Sequence, residues 1–201
     1  LVPRYKIFWG GKTAAVDLSP GEALDLESLP PSARVVINSG GTLQLLSEKN
    51  LSLPNDLSIG GTVGLAIANG GTLTLLGAIE GDGRLFKKGE GKLVLGGSNS
   101  YSGGTELKLG QIEVRASEAL GSGSLRVEQG TTLVANAQDN QTLTLSNPVT
   151  LSGSLSVESG SLALPNAQSQ ASGLVKSGSG TLIWSGSVSY THLTLPTILL
   201  V

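Results

Sequence analysis

The chain repeats itself, and this internal repetition constrains its fold more than any other feature. Residues 85–93 read LFKKGEGKL and residues 174–182 read LVKSGSGTL, so both follow the frame Leu-x-Lys-x-Gly-x-Gly-x-Leu. A second pair of matching segments lies earlier, where residues 38–46, NSGGTLQLL, recur as residues 68–76, ANGGTLTLL. Internal repeats of this length are typical of solenoids, in which each repeat packs only on its neighbours.

The local pattern within and between these repeats predicts short strands. Pairs of apolar residues are separated by one polar or small residue, as in Leu125/Val127 and Leu155/Val157, and clusters rich in Gly, Asn and Ser lie between the pairs. Even spacing alone would also fit an antiparallel sandwich or a barrel, but the repeats favour an all-β parallel β-solenoid. With about 22 residues per coil, residues 32–187 are expected to form about seven coils and a rod about 35 Å long. Residues 1–31 repeat nothing and are expected to be an N-terminal flank or a capping coil.

Composition narrows the classes of function. The chain has no Cys, which excludes a disulfide scaffold and a Cys-based zinc site. Its formal net charge of -2 and its 14% charged residues give no electrostatic reason to expect nucleic acid as a partner. The chain also has no Met, so we expect it to be a fragment of a longer protein or to have lost its first residues. No residue is predicted to bind a cofactor or a metal.

Catalytic chemistry finds little support in the residues. The single histidine is His192, close to the end of the chain, so a Ser-His-Asp triad is not available elsewhere. The enzyme alternative is a secreted polysaccharide-active β-helix, a lyase or hydrolase, which would need clustered carboxylates and a basic residue. Its best candidate patch combines Glu80 and Asp82 with Arg84 and Lys87, but we expect these side chains to be solvated positions beside a turn. No catalytic residue is therefore predicted, and the chain is expected not to be an enzyme.

A longer motif follows the first copy of the repeat. The order is Lys-x-Gly-x-Gly-x-Leu-x-Leu, then Asn-x-Tyr-x-Gly-Gly-Thr, then Leu-Gly-Gln-Ile-Glu-Val, then Ala-Leu-Gly-Ser-Gly. This series resembles the passenger-associated transport repeat of autotransporters, with one complete unit at 81–133 and the start of a second at 173–187. The repeat residues singled out by the resemblance are Gly89, Gly91, Leu93, Asn99, Tyr101, Gly103, Gly104, Thr105, Gly178, Gly180 and Leu182. We expect Asn99 to bond neighbouring backbone groups, and Tyr101 to cover the turn with its ring while its hydroxyl stays in water.

The resemblance implies a fold, a location and partners. It implies a right-handed parallel β-helix, secreted through the outer membrane by type V secretion, displayed on the bacterial cell surface and acting as a stalk or adhesin scaffold. It also implies that the repeat aids folding during export, and that the full-length protein carries a C-terminal translocator barrel. Binding to a host surface, to matrix or to another copy would use the solenoid faces. A spacer without any ligand remains a further alternative.

The last residues depart from the repeat frame. Where the frame requires Asn-x-Tyr-x-Gly-Gly-Thr, residues 188–197 read VSYTHLTLPT, which resembles one reading frame of a transposon adapter used in sequencing libraries. We therefore expect residues 188–201 to be an adapter artefact and exclude them from the functional argument. The alternative is a natural divergent coil.

Overall fold

The computed structural model describes residues 6–10, 13–18, 23–25, 34–138, 141–169, 174–185, 193–194 and 198–200. Side chains are described within residues 34–138, 141–168 and 175–185. The regular elements of these ranges are all strands, and they are numbered in chain order: β1 Lys6–Gly10, β2 Thr13–Leu18, β3 Ala23–Asp25, β4 Arg34–Ile37, β5 Thr42–Leu45, β6 Asn50–Leu53, β7 Leu57–Ile59, β8 Thr62–Ile67, β9 Thr72–Leu75, β10 Ile79–Gly81, β11 Arg84–Lys88, β12 Lys92–Leu95, β13 Thr105–Leu107, β14 Gln111–Val114, β15 Leu125–Val127, β16 Thr132–Asn136, β17 Thr142–Thr144, β18 Val149–Leu151, β19 Ser154–Ser159, β20 Ser161–Leu164, β21 Ala167–Ser169, β22 Leu174–Ser177, β23 Thr181–Trp184, β24 Leu193–Thr194 and β25 Ile198–Leu200.

These strands stack into four sheets that form the sides of a solenoid. Sheet 1 has the order β1-β2-β4-β7-β10, and sheet 2 has the order β21-β18-β15-β13-β11-β8-β5-β3. Sheet 3 has the order β24-β22-β19-β16-β14-β12-β9-β6, and sheet 4 has the order β17-β20-β23-β25. β1 and β2 pair antiparallel, whereas each strand after them pairs in parallel with the strand one coil away. The predicted all-β parallel solenoid of about seven coils is confirmed.

The core is a set of stacked aliphatic columns. In sheet 3 the register aligns one such column in successive coils, and each member of it is fully buried. Its members are Leu73, Leu93, Ile112, Leu133 and Leu155. Fully burying one such side chain contributes about 1.5–3 kcal/mol. The two-residue alternation of the sequence therefore becomes one continuous apolar interior.

The two copies of the repeat lie on different sides of the rod. In the first copy, β11 belongs to sheet 2 and β12 to sheet 3, whereas in the second copy β22 belongs to sheet 3 and β23 to sheet 4. Four coils connect Leu85 to Ala167 by register, so Leu174 falls on the next side. The reason is that the two copies are 89 residues apart in sequence whereas these four coils take up 82 residues, with coil lengths that vary from 18 residues between Val149 and Ala167 to 24 between Leu125 and Val149.

One side of the rod changes its structure in the middle of the chain. Sheet 1 ends at β10, sheet 4 begins at β17, and the two coils between them lack a strand on this side. The coils still stack there, since the N–H groups of Ser100 and Ser102 donate to the carbonyls of Ile79 and Gly81 at 2.8 and 3.0 Å. The repeat residues Asn99 and Tyr101 lie in this segment, which we call the repeat corner (residues 99–105).

The sequence separates the two ends of the chain, residues 1–31 and 188–201, from the solenoid. β2 pairs in parallel with β4, and β24 and β25 pair in parallel with β22 and β23. His192 lies outside the described residues, and so do the rest of 186–192 and 195–197. The division of the chain at residues 31 and 187, and the adapter origin of residues 188–201, stay predictions. In the described part of the chain, no helix is long and apolar enough to cross a membrane.

Candidate functional site

Lys87 is buried inside the first repeat, which corrects the expectation that it is solvated. The register stacks it between Leu65 and Leu107 in an inward-facing column, and its exposure is 0%. Its Nζ donates to the backbone carbonyls of Lys88, Gly89 and Leu109, at 3.1, 2.6 and 3.1 Å. Burial lowers the pKa of Lys87 to about 8, opposed by the attraction of Glu90. The ammonium therefore joins two coils through backbone carbonyls.

The second repeat has the same arrangement. Lys176 is 4% exposed, stacks on Leu155, and donates from Nζ to the Gly178 carbonyl at 2.8 Å. In both copies the lysine thus binds the carbonyl of the glycine two residues later. The sequence held the signal for this burial, because Lys87 is in phase with the inward Leu85 in the frame Leu-x-Lys.

The turn that follows each buried lysine requires glycine. We call these two turns, residues 89–91 and 178–180, the lysine turns. Gly89 and Gly178 have φ of 76° and 77°, in the left-handed region that favours glycine. A Cβ at Gly89 would also overlap the carbonyl oxygen of Ile67, and one at Gly178 would overlap that of Val157. The neighbouring Gly91 and Gly180 pack equally closely against the coil below. The apolar residues that follow them in the frame, Leu93 and Leu182, are both fully buried in the core.

Asn99 connects three successive coils at the repeat corner. Its Oδ1 accepts from the Ile79 N–H at 2.8 Å, and its Nδ2 donates to the Ala119 carbonyl at 2.6 Å. The side chain is 7% exposed, so both bonds are made away from water. The amide replaces the strand hydrogen bonds that are lost where sheet 1 ends. The expectation that Asn99 bonds neighbouring backbone groups is confirmed.

Tyr101 is an interior residue, contrary to the expectation that its hydroxyl stays in water. It is 0% exposed, and its hydroxyl lies 2.5 Å from Oγ1 of Thr105, which is 3% exposed. Burial raises the pKa of Tyr101 well above its ordinary value, and the hydrogen bond to Thr105 opposes this. Gly103 and Gly104 lie between these two residues in sequence. A Cβ at Gly103 would overlap Gly83, and a Cβ at Gly104 would overlap Ser124. Tyr101 and Thr105 therefore seal the corner from inside.

A second polar cluster lies on the outward face of sheet 3. The Glu113 side chain is only 3% exposed and accepts from Lys92 at 2.6 Å, Arg115 at 2.7 Å and Asn136 at 3.2 Å. Burial raises the pKa of Glu113, but these hydrogen bonds outweigh burial and hold it below its ordinary value. The cluster joins the coils on both sides of β14. Both carboxylate oxygens of Glu113 accept hydrogen bonds, as expected of a buried group with a structural role.

The candidate enzyme patch is dispersed. Glu80 forms an ion pair with Arg34, while Asp82 and Arg84 are exposed and Lys87 points into the core. Among the described residues, no three His, Cys, Asp or Glu side chains come together as a group that could hold a metal ion. The polar side chains of the described repeat residues instead form hydrogen bonds between coils.

Comparison with known proteins gives two matches to this chain. The Passenger-associated-transport-repeat family matches residues 85–114 and 174–194, which contain both lysine turns and the repeat corner. A similar protein is the "Adhesin BmaC autotransporter" of Brucella suis biovar 1 (strain 1330), 43% identical over 67 residues. That alignment covers 33% of this chain and only 2% of the length of the adhesin. No solved structure matches the chain. The chain therefore carries passenger-associated transport repeats at residues 85–114 and 174–194, and along a third of its length it is similar to an autotransporter adhesin.

Proposed function

We propose that this chain is a segment of a surface-displayed autotransporter passenger, serving as a non-enzymatic stalk or adhesin scaffold. The observation that carries the proposal is the placement of the transport-repeat residues. They lie where one coil meets the next, and their polar groups bind backbone of the neighbouring coils. A segment of this kind stabilises the rod locally, coil by coil, without requiring contacts far along the chain.

Local stacking suits export through a narrow channel. A coil needs only the preceding coil to complete its hydrogen bonds, so folding can follow emergence one coil at a time. The absence of Cys means that no disulfide needs to form before passage. We propose that the lysine turns and the repeat corner aid this outward folding, and that the full-length protein supplies a C-terminal translocator.

Surface display tests the proposal directly. The whole chain is placed between a signal peptide and an autotransporter translocator in a Gram-negative host, and surface exposure is measured by antibody binding to intact cells. We expect a displayed, protease-resistant fragment. Gly89→Val should lower display severalfold because its side chain overlaps the Ile67 carbonyl. Gly130 has a similar φ of 80° but open space around a Cβ, so Gly130→Val is the matched control for backbone strain.

Two results would contradict the proposal. One is an intact chain that stays protease-sensitive or periplasmic while the translocator itself inserts. The other is equal display of the two valine variants, which would mean that the turn at Gly89 does not contribute to export. Release of reducing sugar ends from acidic or neutral polysaccharides by the purified chain would instead favour the polysaccharide-active enzyme.

A further inference from the structure

The outward face of sheet 2 carries a shallow trough of about 200 Å³. Its polar lining includes two arginines, Arg84 and Arg126, together with Glu106 and the hydroxyls of Ser124 and Thr150. We call this feature the arginine trough. It adjoins the repeat corner, because Thr105 also lines it and the Gly103 carbonyl accepts a hydrogen bond from Arg84, but neither arginine is one of the repeat residues.

Arg84 brings an unneutralised cation to the trough. Its side chain is exposed, and its Nε donates to the Gly103 carbonyl at 3.1 Å, which fixes the direction of the guanidinium. Within the described ranges, no carboxylate forms an ion pair with Arg84. Its remaining N–H groups are therefore presented to solvent along the trough.

Arg126 is held in place from the other side. Its Nε lies 2.6 Å from Glu128 and 3.9 Å from Glu106, while half of its side chain (53%) stays exposed. Lys108 forms an ion pair with Glu106 and lies 3.8 Å from Glu128, so both carboxylates already face a second cation. The acidic groups thus orient the arginine without cancelling the positive character of the trough.

The two arginines are spaced along the rod in a way that suits an extended, polymeric ligand. The register Leu85 to Thr105 to Leu125 places Arg84 and Arg126 two coils apart, about 10 Å along the rod. Guanidinium groups bind carboxylate and sulfate through two parallel hydrogen bonds, which lysine cannot imitate. The hydroxyls of Ser124 and Thr150, which line the trough near Arg126, suit the hydroxyl groups of sugar rings.

We propose that the arginine trough binds an acidic polysaccharide, with Arg84 and Arg126 each binding one anionic group of the chain. The inference deepens the proposed adhesin role and rests on it. A nucleic acid fits less well, because a duplex presents a dense row of phosphates that needs a longer run of cations than the two arginines lining the trough. Neutral glycans fit less well too, since they offer the two arginines no anionic group to bind.

Binding to immobilised polysaccharides tests this inference on the full purified chain. Heparin, hyaluronan, neutral dextran and a DNA duplex serve as probes at low salt. We expect retention on heparin or hyaluronan that weakens with salt, and none on dextran. Arg84→Gln and Arg126→Gln should each lower the affinity about tenfold, which corresponds to the loss of one charge-assisted contact.

Arg34→Gln is the matched control. It removes the same charge from sheet 1, where Arg34 pairs with Glu80, and it should bind as the original chain does. Thermal unfolding of the variants shows whether each keeps the folded rod. Equal binding by all three variants, no binding to either acidic polysaccharide, or equal retention on DNA and heparin would overturn the inference. Because these assays use purified protein, they can fail while surface display succeeds, and the reverse.

Discussion

The buried ammonium of Lys87 determines how the stability of the rod should change with pH. Burial lowers the pKa of Lys87 from its ordinary 10.5 to about 8. Between these two values the unfolded chain binds more protons than the folded chain. The free energy of unfolding therefore rises as the pH increases from about 8. This direction is opposite to the loss of stability that an exposed, ion-paired lysine would give.

The size of the effect follows from the same difference. A fall from 10.5 to about 8 corresponds to about 3 kcal/mol at full effect. The hydrogen bonds of Nζ are only partly buried, and screening by the nearby solvent reduces this to about 1–2 kcal/mol. Lys87→Met keeps most of the side chain's length and removes the ionisation, so the rise with pH should disappear. Three carbonyls would then lose their donor, which should lower the stability at pH 9 by about 2 kcal/mol.

Urea unfolding followed by circular dichroism, between about pH 7 and pH 9.5, measures the effect. The range stops there because Tyr101 acts in the opposite direction at higher pH. Its pKa is raised in the folded chain, so ionisation of the unfolded chain near pH 10 reduces stability. Lys88→Met, at an exposed neighbouring position, should keep the rise. An original chain whose stability is level or falling in this range, with Lys87→Met giving the same profile, would refute the reasoning.

The other predictions concern the remaining contacts between coils, and urea unfolding measures each of them. Asn99→Ala should cost about 2 kcal/mol, because two backbone groups lose their partners, and an unchanged midpoint would contradict its bridging role. Tyr101→Phe keeps the packing and should cost only about 1 kcal/mol. Gly89→Ala should cost more than about 2 kcal/mol, from positive φ and overlap together, whereas Gly130→Ala, with positive φ but open space, should cost about 1 kcal/mol. Glu113→Gln should lower stability by about 1–2 kcal/mol at neutral pH, and the difference from the original chain should shrink as the pH falls below about 4, because the carboxylate's folded pKa is depressed.

The sequence predicted the architecture because the physics of a solenoid is local. Alternating apolar residues and repeated glycine turns were enough to predict parallel stacking and the buried column that includes Leu93 and Leu133. The bonds of Asn99 to backbone also followed from its chemistry. These features depend on neighbours that are near in the repeat, so the pattern alone determines them.

What the sequence did not predict depends on distances between coils. The charge of Lys87 predicts an exposed side chain, yet its phase in the strand turns it inward, where three backbone carbonyls accept hydrogen bonds from Nζ. The hydroxyl of Tyr101 forms a hydrogen bond with Thr105 inside the coil, and this contact requires the curvature of the repeat corner. The arginine trough also escaped prediction, since its two cations come from strands that only the register brings side by side.

The shift of the second repeat to the next side of the rod has a consequence for a longer passenger. Coils here are not all of one length, so an equal spacing of repeats in sequence does not place them above one another in space. Successive repeats spaced in this way would be distributed along a winding path around the axis. A partner that grips several of these corners at once would have to wrap around the rod, whereas a partner that lies flat along one side would meet a single corner.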